Sequence, residues 1–413
     1  MTALEEPRTQ RFDVDGYWLE RPFRVRRLGH VGLNCDLIAE CLHFYRDLLG
    51  FRISDRIDFS ERTASPEILQ GLGDPSGYFM RHGTDHHSFV LFNKKVREAV
   101  DTKRRFPPGV TVNQISWQVG SLRQVVGGEA WLRERGQHIQ RAGRDMPGSN
   151  WHTYFYDPDG HTNELFYGME QVGWSGFSKP LALYKHGATR TPALPQVSET
   201  QEISAALADG VDPCSGSRDV PGEPARFDVG GVLMPRPFKV VRIGPLRLFV
   251  SDIDAARSFY QDALGLRVTA QIDFDGTRCV LLRSNTEHHS VGLYPIGLRE
   301  RLGLNPRSTT FSLGMQVGGY RQLRDARSFL LGQGLSEVRL PPELFPGMPR
   351  AFRVRDPDGH LIELYDSMRQ VLPERADARA ADVLTDAGEW PETLDHDDDG
   401  AAFLGEPYLG PLE

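Results

Sequence analysis

Cysteine is scarce in this chain and poorly spaced for redox or metal chemistry. There are four, Cys35, Cys41, Cys214 and Cys279, with no CxxC pair and no framework of the kind that staples small secreted domains. Cys35 falls in a strand-like run and Cys41 in a helix-like one, where a buried thiol serves packing. No run of about 18 apolar residues is present, so nothing reads as a membrane-spanning helix. The opening MTALEEPRTQRFDVDG has neither a basic nor an apolar leader region, so the expected location is the cytoplasm. A basic excess is missing too: 48 Lys and Arg stand against 56 Asp and Glu, a net charge of −8. That balance lacks the positive footprint of a nucleic-acid binder.

What the sequence does have is a repeat. RFDVDGYWLERPFRVRRLGHVGL (11–33) matches RFDVGGVLMPRPFKVVRIGPLRL (226–248) at an offset of 215. The match continues through FYRDLLGFRISDRIDF and FYQDALGLRVTAQIDF, then TDHHSFVLF and TEHHSVGLY, then two DPDGH turns. The second copy is shorter by about sixteen residues, mostly around ERTASPEILQGLGDPSG (61–77), which reads as a loop insertion in the first. These anchors divide the chain into an N-terminal arm (1–21), a first domain (22–182), a linker (183–236), a second domain (237–370) and an acidic tail (371–413) containing DHDDDG. The Pro-, Ser-, Gly- and Ala-rich composition of 185–225 predicts an irregular linker on the surface.

Each half divides again. RVRRLGHVGLNC alternates as a strand, LIAECLHFYRDLL has helical spacing, and Gly50 suits its C-terminal end. FRISDRIDF, SGYFMRHGT and HHSFVLF follow as strands. The order recurs as VTVNQISWQVG, the helix LRQVVGGEAWLRERG, then HIQRAG, WHTYFYDP and HTNELFYG. Strand, helix and three strands, four times over, predicts an α+β fold of four βαβββ modules. Paired modules would curve a mixed sheet around a cleft, with side chains entering it from first and last strands. Within it, a tight DPDG turn wants a preset proline and a glycine at positive φ.

LGHVGL, FYRDLLGF, DHHSFVLF, VNQISWQV and YFYDPDGHTNELFYG together resemble the vicinal oxygen chelate superfamily, most closely its type I extradiol ring-cleavage dioxygenases. The resemblance covers about residues 22–170 and 237–370. It implies iron(II) held by two histidines and a glutamate, a set that suits non-haem iron oxygenases. The first histidine lands on His30 and the glutamate on Glu164. The second lands on Gln114, where the family carries histidine. Glutamine is a harder, neutral ligand that admits Mn(II), Zn or Ni beside Fe(II), and glyoxalase I enzymes of the same superfamily use His, Gln and Glu. His86 or His152 would instead complete the set under a different register.

The resemblance also implies roles around the metal. His87, second of the HH pair, falls at the acid–base position near O2, and Tyr154 at the position that hydrogen-bonds the substrate oxygen. Asp145 stands where the family has a substrate-side histidine, and His152 is a second candidate for substrate binding. In the second half, Pro245 replaces His30, Ser312 replaces Gln114 and Arg353 replaces Tyr154, while Glu363 and His288–His289 persist. A metal site is therefore expected in the first half alone. The implied activity is cleavage of a catecholic ring with O2. A glyoxalase-like isomerase or lyase, and a non-catalytic binder of aromatic compounds, stay open as alternatives. Oligomers are common in the family, so a homo-oligomer is an open expectation.

Overall fold

The computed structural model describes residues 10–101, 107–145, 148–173, 175–183, 187–220, 222–371 and 390–394. The segment DHDDDG (395–400) lies outside them. A short hairpin, β1 (Phe12–Val14) and β2 (Tyr17–Leu19), leads into the first half. Its strands are β3 (Val25–Cys35), β4 (Arg52–Asp58), β5 (Ser76–Arg81), β6 (Phe89–Asn93), β7 (Val112–Val119), β8 (Ile139–Arg144), β9 (Trp151–Tyr156) and β10 (Thr162–Tyr167). They form one sheet in the order β4-β5-β6-β3-β7-β10-β9-β8. The first strands of the two modules, β3 and β7, meet antiparallel at its centre, and β10 runs parallel to β7.

The second half repeats the plan. A hairpin of β11 (Phe227–Val229) and β12 (Val232–Met234) precedes β13 (Val240–Val250), β14 (Arg267–Phe274), β15 (Thr277–Arg283), β16 (Val291–Pro295), β17 (Thr310–Val317), β18 (Ala351–Arg355) and β19 (Leu361–Tyr365). Its sheet order is β14-β15-β16-β13-β17-β19-β18. Here the expected pattern loses one strand. The counterpart of β8 is reduced to a single bridge, Glu337 to Val354.

Alternation within the strands separates two faces. Val31, Ile115, Phe155 and Leu165 belong to a continuous apolar core shared with Val250, Phe259, Tyr260 and Leu313 of the other half. The helix of each half packs across the junction, Phe259 against Phe155 with ring centroids 5.9 Å apart. Both helices end on left-handed glycines, Gly50 at φ 87° and Gly265 at φ 80°. These glycines also admit the opposite half: a Cβ on Gly265 would lie 1.9 Å from the Arg21 guanidinium, and one on Gly50 2.6 Å from that of Arg236.

The linker departs from the irregular chain expected. Glu199–Ala208 is a helix, closed at its start by Ser198 and Gln201 in a reciprocal capping box. Arg144 binds Glu202 on this helix through two contacts of 2.8 and 2.9 Å, both side chains buried, which fixes the linker to the first half. Cys35 and Cys41 are buried as expected, and Cys214 is exposed. No helix among the described residues is long and apolar enough to cross a membrane.

Candidate metal centre

Three strands deliver three side chains to one point on the face opposite the core. His30 comes from β3, Gln114 from β7 and Glu164 from β10. The register explains the meeting, because Ser116 of β7 lies opposite both His30 and Glu164. A break in register between Leu28 and His30 turns the histidine to this face. Gly29 permits the close packing, since a Cβ there would sit 2.4 Å from the Phe166 ring.

His30 Nε2 lies 2.9 Å from Glu164 Oε2. Gln114 Nε2 lies 2.7 Å from His30 Nε2 and 2.7 Å from the same carboxylate oxygen. His30 and Glu164 are wholly buried. Burial pushes the Glu164 carboxyl up, but His30, His152 and Ser116 outweigh it and hold it at about 2. With that carboxylate ionised, no proton assignment satisfies all three edges of the triangle. If the Gln114 amide nitrogen points inward, a protonated His30 Nε2 faces another donor, and a bare one faces the carboxylate lone pairs. If the amide is turned, its oxygen faces the carboxylate. A cation between them would relieve every edge at once, because metal–ligand bonds of about 2.0–2.2 Å bring neighbouring ligand atoms to within about 3 Å of one another. The three residues therefore fit a divalent metal on one face.

The supports of this triangle were not visible as such in the sequence. Ser116 donates its hydroxyl to Glu164 Oε2, and Asn150 Nδ2 donates to Oε1 at 2.7 Å. His30 is packed between His87 and Phe166, with ring centroids 4.5 and 4.7 Å away. Its Nδ1 has no hydrogen-bond partner among the described residues.

A cavity of about 270 Å³ opens beside the triangle, with Gln114, His87, Tyr154 and Asn150 in its lining. Its walls are Ile57, Phe59, Phe79 and Phe92, and Arg62, Arg97 and Arg141 also reach it. Phe59 and Arg62 flank the start of the insertion read from the sequence, so that segment shapes the cavity. Tyr154 lies directly across the β9–β10 hairpin from Glu164. Its hydroxyl is 3.1 Å from Gln114 Nε2, and burial together with Glu164 pushes its pKa well up. Burial, then His30 and His86, push the pKa of His87 well down.

The remaining candidates divide. Asp145 lines the cavity, where Arg141 pairs with it at 2.5 Å and also covers the Tyr154 ring at 4.4 Å. His152 is buried behind Tyr154, its ring centroid 4.6 Å away, and is absent from the cavity lining. Its Nε2 lies 3.9 Å from Asp145 Oδ2. His86 is bonded to Asp55 and His87, away from the triangle.

In the second half a guanidinium stands where the first half gathers its ligands. Arg247, wholly buried, donates to Glu363 at 2.6 Å, to Ser312 at 3.0 Å and to His289 Nε2 at 2.9 Å. Arg353 pairs with the other Glu363 oxygen and lies over Phe345 at 3.5 Å. Arg247 corresponds to Gly32, two positions beyond the proline that replaces His30, so it projects from the same strand face.

The model of the Glyoxalase/Bleomycin resistance protein/Dioxygenase superfamily matches residues 27–165 and 242–364. Over 137 residues the chain is 29% identical to metapyrocatechase 2 of Cupriavidus necator, covering 33% of this chain and 34% of that protein. The match thus spans about a third of that relative's length. Solved structures with the same fold include the 2,3-dioxygenase LapB from Pseudomonas sp. KL28 (TM-score 0.53, 14% identity, 85% of this chain and 95% of that one). Homoprotocatechuate 2,3-dioxygenase from Arthrobacter globiformis gives 0.51 at 17% identity, covering 94% and 89%. The Mn(II)-bound glyoxalase from Novosphingobium aromaticivorans gives 0.50 at 15%, covering 84% of each chain. At such identities the likeness is one of fold.

Proposed function

The chain belongs to the Glyoxalase/Bleomycin resistance protein/Dioxygenase superfamily, and from that premise we propose that its first half is a divalent-metal site cleaving a catecholic ring with O2. The observation that carries this is the triangle of His30, Gln114 and Glu164, whose edges of 2.7 to 2.9 Å a shared cation would relieve. These three residues would hold the metal, with Fe(II) the ion suited to oxygenase chemistry. When bound, that ion supplies activation of O2 and of the vicinal oxygens.

The surrounding residues have their own tasks. Ser116 and Asn150 hold the Glu164 carboxylate in one orientation. Phe59, Phe79 and Phe92 give a flat apolar substrate a wall and exclude water from one side of the cavity. His87, neutral and lining the cavity, takes the proton of a substrate hydroxyl. Tyr154 keeps its own proton and donates it as a hydrogen bond to a substrate oxygen.

The test is anaerobic mixing of the iron-loaded chain with a panel of catechols, followed by O2. A yellow ring-opened product and uptake of one O2 per catechol are expected. Gln114 favours one second reading, an oxygen-independent isomerase or lyase of the glyoxalase kind. Turnover with Mn(II), Zn or Ni in the absence of O2 would select it. A chain that binds aromatics but no metal would be a binding protein.

A further inference from the structure

Behind His87 runs a chain of contacts that the proposed reaction has not yet used. His87 Nδ1 lies 3.0 Å from His86 Nδ1, and His86 Nε2 lies 2.8 Å from Asp55 Oδ2. Both histidines are buried. Gly148, at φ 90°, closes over them: a Cβ there would fall 3.0–3.2 Å from both rings. The pair is thus held edge to face, at 89°.

The second half has the same two rings in the same contact, His288 Nδ1 to His289 Nδ1 at 3.0 Å. Packing alone therefore accounts for the pair. It does not account for Asp55, because the matching residue in FRISDRIDF against LRVTAQIDF is Ala270. In that half the tautomer is set from the opposite end. Arg247 can only donate, so His289 Nε2 accepts, and the His289 proton sits on Nδ1 facing His288. The first half has no guanidinium there, since its counterpart is Gly32. It has a carboxylate at the far end instead.

We infer that Asp55 is a positioning residue, fixing through His86 which nitrogen of His87 is bare. This rests on the reading of His87 as the base of the proposed reaction. An ionised carboxylate only accepts, so His86 gives its Nε2 proton to Asp55. The other ring nitrogen of His86, Nδ1, then offers its lone pair to His87 Nδ1–H. His87 Nε2 is left bare, the nitrogen that receives the substrate proton. As the substrate O–H bond breaks and the Nε2–H bond forms, His87 becomes an imidazolium. Its Nδ1 proton stays shared with His86, and Asp55 supplies the balancing negative charge.

The test uses the full-length chain, metal-free and loaded with diamagnetic Zn(II), labelled with ¹⁵N on histidine. Long-range ¹⁵N–¹H correlations distinguish a bare ring nitrogen from a protonated one, and a His87→Gln spectrum assigns His87. The wild type should show His87 with Nδ1 protonated and Nε2 bare. Asp55→Ala, which reproduces what the second half carries, should mix the tautomers. Asp55→Asn, which keeps the shape but can turn an N–H toward His86, should favour the opposite one. Unchanged His87 signals in both variants, or a protonated Nε2 in the wild type, would overturn the inference. With iron and a catechol, both variants should lose about a hundredfold in kcat at unchanged catechol affinity and iron content. If the wild type consumes no O2, the proposed reaction falls, while the tautomer result stands or falls by itself.

Discussion

The hydroxyl of Tyr45 donates to the carboxylate of Asp356 at 2.8 Å, joining residues 311 positions apart. Tyr260 returns the contact to Asp157 at 3.0 Å. Each tyrosine belongs to the FY motif of one half, and each aspartate opens the DPDG turn of the other. The second aspartate of each turn adds to this: Asp358 accepts from the backbone of Asp36 and Leu37, and Asp159 from that of Ser251. A turn that sequence explains as local geometry is therefore also a reciprocal clasp between halves.

Removing one side of the clasp should loosen the whole chain. Tyr45→Phe leaves a buried carboxyl short of a donor, at a cost of about 1–3 kcal/mol. Urea unfolding measures this, and Tyr260→Phe should cost a similar amount. A midpoint equal to the wild type in both variants would reduce the clasp to coincidence.

Metal content should follow the triangle. His30→Ala and Glu164→Ala are expected to abolish binding of a single divalent ion, measured by elemental analysis of the purified chain. Ser116→Ala, which only frees the carboxylate, should weaken affinity about 10–100-fold. Gln114→His should raise preference for iron(II) over Mn(II) in competition, because imidazole is the softer donor.

Tyr154→Phe separates binding from chemistry. On the proposed function the phenol donates to a substrate oxygen as charge develops there, so its loss should lower kcat about 10–100-fold. Metal stoichiometry should not change. A variant that loses metal as well would make Tyr154 a support of Gln114 instead.

Glu363 gives a pH dependence with a definite sign. Burial raises its pKa, but Arg247 and then Arg353 outweigh burial and hold it below its ordinary value. Its contribution to stability is thus complete above about 4.3, the unfolded value, and is lost as the pH falls through the lower folded value. Glu363→Gln should cost about 3–5 kcal/mol at neutral pH, because two guanidiniums stay buried without a counter-charge. The gap between wild type and variant should close on acidification, read from urea midpoints at successive pH values.

The modular order was legible because it rests on local signals: alternation in the strands, helical spacing, and turns marked by Gly, Pro and Asp. Tyr154 and Glu164 were legible only through the family resemblance, and the DPDG hairpin then sets the two, ten apart, opposite each other. Ser116, Asn150 and Asp55 were not, because each acts through a strand register or a turn distant in sequence. The helix at 199–208 carried a usable signal in Ser198 and Gln201, outweighed by the surrounding Pro and Ser. Arg247 was not legible, because the ligand position itself carries Pro245 and the guanidinium comes from the position of a glycine, Gly32.

That guanidinium gives the second half a permanent resident cation. On the proposed function, the first half would draw its ion from the surroundings and be subject to scarcity, competition and oxidation of whatever it binds. The second half is immune to all three, because its positive charge is tethered to the backbone. With the halves clasped through their turns, a chain stripped of metal still has one fully assembled sheet to hold the other in register. Exchange of the ion thus becomes a local event at one site, with no need to refold.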